Sequence, residues 1–119
     1  LVGVDPDRKG VELAQKCMSR VPNDSYVAAV KCLVEFEGRD HLPFIAVPTL
    51  VLAGENDSNA PVSMMKKMAQ KIPGAEFATI PNAGHLAPMG NPDAFNHVVL
   101  DFLARHAYKS NIKQSRTIN

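Results

Sequence analysis

Asp57 and His85 are the two residues of this chain whose types and placement could do proton chemistry together. Asp57 stands three residues beyond Gly54, which ends an apolar run at 48–54. His85 stands five beyond Ile80, in the loop Asn82-Ala83-Gly84-His85. If the two runs are neighbouring parallel strands, both side chains project beyond the same edge of one sheet, where open α/β sheets gather their ligands and catalytic groups. A carboxylate there accepts a hydrogen bond from one imidazole nitrogen and fixes the tautomer. The other nitrogen is then free to act as a general base. Gly84 is expected to let the loop turn tightly enough for the ring to reach inward. Singly, each residue has a plainer reading: an aspartate after a strand serves as a turn residue, and a loop histidine is often merely solvated. It is the pair, in this order, that points to catalysis.

Other candidates are weaker. His41, His97 and His106 lack the spacing of zinc ligands, and with Cys17 and Cys32 far apart no metal site is expected. Asp93 and His97 sit four apart on a helix, as a surface pair would. Met64, Met65 and Met68 read as core packing on a helix whose solvated side carries Lys66, Lys67 and Lys71.

The elements that must hold Asp57 and His85 are legible from period and punctuation. Residues 7–20 read as a helix, broken by Val21-Pro22-Asn23-Asp24. Asp24 or Ser25 can cap a second helix, with Tyr26, Val27, Val30, Leu33 and Val34 on one face and Gly38 at its end. Residues 39–44 read as an extended connector. Pro48-Thr49-Leu50-Val51-Leu52-Ala53-Gly54 is too short for a core helix, and is expected to be a strand buried on both faces. Pro61 opens a third helix with Val62, Met65, Met68, Ala69 and Ile72 inward, and Pro73-Gly74 stops it. Glu76-Phe77-Ala78-Thr79-Ile80 is the second strand and 82–90 a loop. Asn91-Pro92 caps a last helix with Phe95, Val98, Val99, Phe102 and Leu103 on one side. Strand, helix, strand, helix implies an α/β fold with a right-handed parallel unit. Two strands alone leave unpaired edges, so the sheet calls for a partner.

Composition narrows the classes. The 119 residues make at most one domain, and a net charge of +1 gives no reason to expect nucleic acid or an anionic membrane as partner. No apolar stretch approaches the roughly 20 residues that span a bilayer. Asp5, Asp7, Arg8 and Lys9 interrupt anything like a signal peptide. Two cysteines are too few for a disulfide framework, and buried or half-buried thiols in a reducing cytoplasm are expected. The start at Leu1 fits a fragment.

The stretch from Leu42 to Asp57, with Gly54-Glu55-Asn56-Asp57 at its end, resembles the penultimate strand and acid turn of the α/β-hydrolase superfamily. Pro73-Gly74-Ala75-Glu76-Phe77 through Asn82-Ala83-Gly84-His85 is similar to its last strand and histidine loop. The likeness is to the cofactor-free lactonases, esterases and carbon–carbon hydrolases, such as 3-oxoadipate enol-lactonase, and covers about residues 24–106. It implies the C-terminal part of an α/β-hydrolase fold, two parallel strands each followed by a helix and preceded by lid and connector helices. Residues 1–46 would be the end of the lid region and connecting helix, 47–106 the strand–helix–strand–helix half, and 107–119 a polar, disordered tail. By this resemblance Asp57 is the triad acid and His85 the base, while Leu86 and Met89 line the approach to the substrate pocket. No cofactor is implied.

The family's nucleophile elbow, G-x-S-x-G, is absent. None of Ser19, Ser25, Ser58, Ser63, Ser110 and Ser115 has glycines at that spacing. The leading expectation is therefore a chain that is inactive alone. Its partners would be an N-terminal half carrying the serine and a small ester or lactone substrate. Two alternatives stand beside it: an interaction module that self-associates into a homo-oligomer through its sheet edge, or a non-catalytic ligand receptor on the same fold.

Overall fold

The computed structural model describes residues 8–115, with side chains through residue 106. Helices α1 (Arg8–Met18) and α2 (Asn23–Glu35) come first, then a 3-10 helix at Arg39–Phe44. Strand β1 (Leu50–Gly54), helix α3 (Val62–Lys71) and strand β2 (Glu76–Ile80) follow, then a single turn α4 (Ala87–Gly90) and the long α5 (Pro92–Ser115). The strands are parallel and in register from Leu50 opposite Glu76 to Gly54 opposite Ile80.

The period of two along each strand divides the core between the faces. Val51 and Phe77, side by side in the register, pack with Ala69 and Ile72 beneath α3. Leu52 and Ile80 point the other way, toward Ala83, Ala87, Phe95 and Val98. Ile80 is fully buried. Pro81, which has no N–H for the ladder, ends β2. Asn91 starts α5 by accepting the Ala94 N–H at its Oδ1 (3.2 Å), just ahead of Pro92.

Several details depart from the sequence expectation. Asp24 and Ser25 lie inside α2 and cap nothing; Pro22, extended at φ −61° and ψ 141°, stands at the cap position. Its carbonyl takes the Tyr26 N–H at 3.0 Å, so the helix begins directly after the proline. Helix α2 ends before Gly38, because Phe36 is already extended. The connector at 39–44 is coiled rather than extended, since the fixed φ of Pro43 suits a helical turn as well as an extended one. Strand β1 is not buried on both faces. Val51 and Ala53 are covered, but Leu50 and Leu52 are only half-buried on a sheet just two strands wide among the described residues. Cys17 and Cys32 are exposed free thiols, on helices that bury little. Helix α5 does not stop near His106 but runs to Ser115, because no glycine or proline interrupts it. Residues 116–119 lie outside the described residues.

One flank is uncovered. Helix α2 buries no residue, and Leu33 and Val34 are each 81% exposed. The accessible surface is 9197 Å², against about 6,300 Å² for a compact monomer of this mass.

Candidate active site

The two strand ends place the acid and the base. Beyond Gly54 the chain folds back in a tight turn, with the Asp57 N–H on the Gly54 carbonyl (3.1 Å). That turn is bonded to the loop after β2: the Glu55 N–H donates to Ile80 O (3.0 Å) and the Asn56 N–H to Ala83 O (2.8 Å). Gly54 itself has no room for a side chain. A Cβ there would collide with the carbonyl oxygens of Gly84 and Ala83. The acid turn and the histidine loop therefore lie backbone against backbone.

Within this frame Asp57 and His85 meet. His85 Nδ1 lies 2.9 Å from Asp57 Oδ2. The other carboxylate oxygen, Oδ1, accepts the N–H groups of Asn59 (2.9 Å) and Ala60 (3.0 Å). Both oxygens are thus occupied, and the aspartate side chain is only 6% exposed while the imidazole is 46% exposed. Burial pushes the Asp57 carboxyl up, but the Ala60 N–H, the His85 hydrogen bond and the Asn59 N–H together outweigh it. Its pKa falls below the ordinary 3.8. The acid is therefore ionised at neutral pH and fixed from behind. Such a group holds the proton of an imidazole on Nδ1 and leaves Nε2 to exchange protons with a reacting group.

The structure brings together Asp57 and His85. Leu86 and Met89, expected along the substrate approach, stand just before and within the α4 turn and are half-buried, and the Met89 N–H bonds to Leu86 O at 2.9 Å. This turn falls inside the stretch expected to be a plain loop. Helix α1 lies on it so closely that a Cβ at Gly10 would run into the Met89 carbonyl. Two open cavities, of about 420 and 390 Å³, lie around the 3-10 helix and α3, lined by Arg39, Leu42 and Met68 among others. Neither includes Asp57, His85, Leu86 or Met89. Among the described residues no group of acidic, histidine or cysteine side chains could hold a metal ion, and no helix is long and apolar enough to cross a membrane.

Three residues that the sequence did not mark belong to the site. Gly54 was legible as a strand terminator but not as a contact point. Glu55 accepts the Asn82 N–H at its Oε2 (2.9 Å). Asn91, readable as a helix cap, also donates from Nδ2 to Pro81 O (2.9 Å). The left-handed residue of the loop is Asn82, at φ 56°, and not Gly84. Asparagine takes that conformation more readily than most side chains.

Comparison with known proteins bears on the fold and the family. A pimeloyl-[acyl-carrier protein] methyl ester esterase of Vibrio vulnificus (strain YJ016) is 30% identical over 95 residues, covering 78% of this chain and 37% of that protein. The enol-lactonase of Burkholderia xenovorans LB400 superposes with a TM-score of 0.74 at 29% identity, over 82% of this chain and 38% of that one. A thermophilic esterase from Thermogutta terrifontis gives 0.57 at 40% identity, over 58% and 26%. The chain spans about a third of the length of the curated relatives it matches, from 29% to 37% of the first three. Residues 12–111 match the model of a family described as TAP-like protein. Matched by that model over most of its length, and superposing on the enol-lactonase fold, the chain belongs to that TAP-like family of the α/β-hydrolase superfamily.

Proposed function

We propose that this chain is the C-terminal portion of a cofactor-free serine hydrolase, cleaving an ester, a lactone or a carbon–carbon bond, and that it supplies the acid and base of a Ser-His-Asp triad. The observation that carries this reading is the 2.9 Å contact between His85 Nδ1 and an Asp57 carboxylate whose other oxygen holds two backbone N–H groups. A purely structural aspartate–histidine pair has no need of so complete a fixation at the edge of a sheet. The hydrolase names of the relatives support the reaction class.

The serine comes from an N-terminal half of the hydrolase. His85 Nε2 takes the proton of the serine hydroxyl as its oxygen attacks the substrate carbonyl. Asp57 stabilises the imidazolium that forms, and the proton passes on to the leaving group. His85 then draws a proton from water, whose oxygen attacks the acyl-serine, and returns that proton to the serine oxygen as the acyl–serine bond breaks and the acid leaves. Without the serine and the oxyanion hole, the covalent step and its main electrostatic stabilisation are missing, so this chain alone is expected to be inactive. A cytoplasmic setting is in keeping with the free thiols of Cys17 and Cys32.

The test is reconstitution. The chain is mixed or co-expressed with a hydrolase segment carrying G-x-S-x-G, and the assembly is treated with a serine-directed phosphonate and an ester substrate. Phosphonylation and turnover that need both pieces, and that vanish with His85→Ala, are the expected result. Turnover that survives His85→Ala would sink the proposal. A second reading, an interaction module that self-associates, is favoured by one observation: among the described residues β1 and β2 pair only with each other, so each has an open edge. A concentration-dependent dimer of the chain that persists when the serine-bearing segment is added would support it.

A further inference from the structure

We infer that Glu55 and Asn91 are positioning residues that clamp a single peptide group, Pro81–Asn82, from both sides and so aim the histidine loop; this rests on the reading of His85 as the base. The carbonyl of Pro81 accepts the Asn91 Nδ2 amide at 2.9 Å, and the N–H of Asn82 donates to Glu55 Oε2 at 2.9 Å. That C=O and that N–H point to opposite sides of one planar unit. Pinning both ends fixes the rotation of the plane about the chain. The next backbone angle is the left-handed φ of 56° at Asn82, which turns the chain out of β2 and toward the buried Ala83 and Gly84. A rotation of the clamped plane would be transmitted through that turn to His85, three residues on.

The two clamping side chains reach the loop from two elements, the acid turn and the start of α5. Glu55 lies two residues before Asp57, so the turn that carries the acid also grips the loop that carries the base. It does so at three places: Glu55 on Asn82, Asn56 on Ala83, and Asp57 on His85. Asn91 reaches in from the start of α5, where its Oδ1 already holds the Ala94 N–H at 3.2 Å. One amide therefore spends its oxygen on the helix and its nitrogen on the loop, tying loop orientation to the seating of α5 under Ile80.

The test reads the tautomer of His85, not activity. In the full ¹⁵N-labelled chain at neutral pH, the imidazole nitrogen shifts report which nitrogen bears the proton. The unsubstituted chain is expected to show the Nδ1–H form. Glu55→Ala removes the acceptor, whereas Asn91→Asp keeps the cap oxygen of α5 and replaces the donor to Pro81 with an acceptor oxygen. Both are expected to lose the Nδ1–H preference while helix content by circular dichroism stays the same. Glu55→Gln, which keeps an oxygen in place, is expected to restore it. Should Asn91→Asp not fold, Asn91→Ser keeps a cap oxygen and takes its place. Wild-type tautomers in both Glu55→Ala and Asn91→Asp would overturn the clamp and leave the dyad standing. An unsubstituted chain whose tautomer equals that of Asp57→Asn would overturn the dyad reading, and the clamp with it.

Discussion

Gly54 lies against the carbonyl oxygen of Gly84 with no space between them for even one methyl group. The end of β1 and the middle of the histidine loop are therefore in backbone contact, and the spacing of acid and base is set by that contact. Gly54→Ala is expected to destabilise the chain by about 1–3 kcal/mol, as overpacking against groups that cannot rotate away does. It is also expected to part His85 from Asp57. Urea unfolding measures the first effect and the His85 imidazole shifts the second. A variant as stable as the parent would show that the loop yields freely.

Asp57→Asn tests the acid without changing its shape. The amide oxygen can still take the Asn59 and Ala60 N–H groups, which turns the NH2 toward His85 Nδ1 and forces the ring proton to Nε2. In the reconstituted hydrolase kcat is expected to fall on the order of 10⁴-fold with little change in KM, the size of effect a reversed tautomer has in such triads. Steady-state kinetics on a chromogenic ester provides the check.

The far end of the sheet carries a separate electrostatic tie. Glu76 accepts both terminal nitrogens of Arg105 at 2.7 Å, with His106 Nε2 at 3.3 Å. These bonds, the Arg105 ones foremost, hold the Glu76 carboxyl down to about 2, from an ordinary 4.5. The folded pKa is depressed, so the stabilisation is fully present above pH 4.5 and is lost as pH falls toward 2. Asp57, lowered from 3.8, adds the same sign of dependence. Thermal unfolding is expected to worsen steeply below pH 4.5, and Glu76→Gln to flatten part of that acid limb. Identical acid limbs in the two proteins would refute the assignment.

The bare face of α2 makes its own prediction. Leu33 and Val34 contribute nothing to the core at 81% exposure each, so Leu33→Lys with Val34→Lys should leave stability within about 0.5 kcal/mol of the parent. If the chain self-associates through this face, the double variant is expected to sediment as a smaller species than the parent. If association is unchanged, the open strand edges carry it instead.

The sequence was most legible where period and punctuation agreed. The short continuous apolar run through Val51, Leu52 and Ala53, bounded by proline and glycine, marked β1, and the turn residues on either side placed Asp57 and His85 at one edge. Backbone detail was less legible. Asn82 takes the left-handed angle that the neighbouring Gly84 seemed made for, because the Glu55 carboxylate and the Asn91 amide hold its peptide there. No local pattern announces a carboxylate 27 residues away in the chain. Exposure was misread at Cys17, Cys32 and Leu52 for a different cause. Residue type and period say which side chains seek cover, not whether this stretch of chain contains what covers them.

Because Gly54 and Ile80 are register partners on parallel strands, the meeting of acid and base closes a loop of 28 residues within one strand–helix–strand unit. The entropy of closing such a loop grows only with the logarithm of its length, and α3 and β2 are folded inside it. The contact between Asp57 and His85 therefore forms with the folding of that one strand–helix–strand unit and needs no long-range closure of its own.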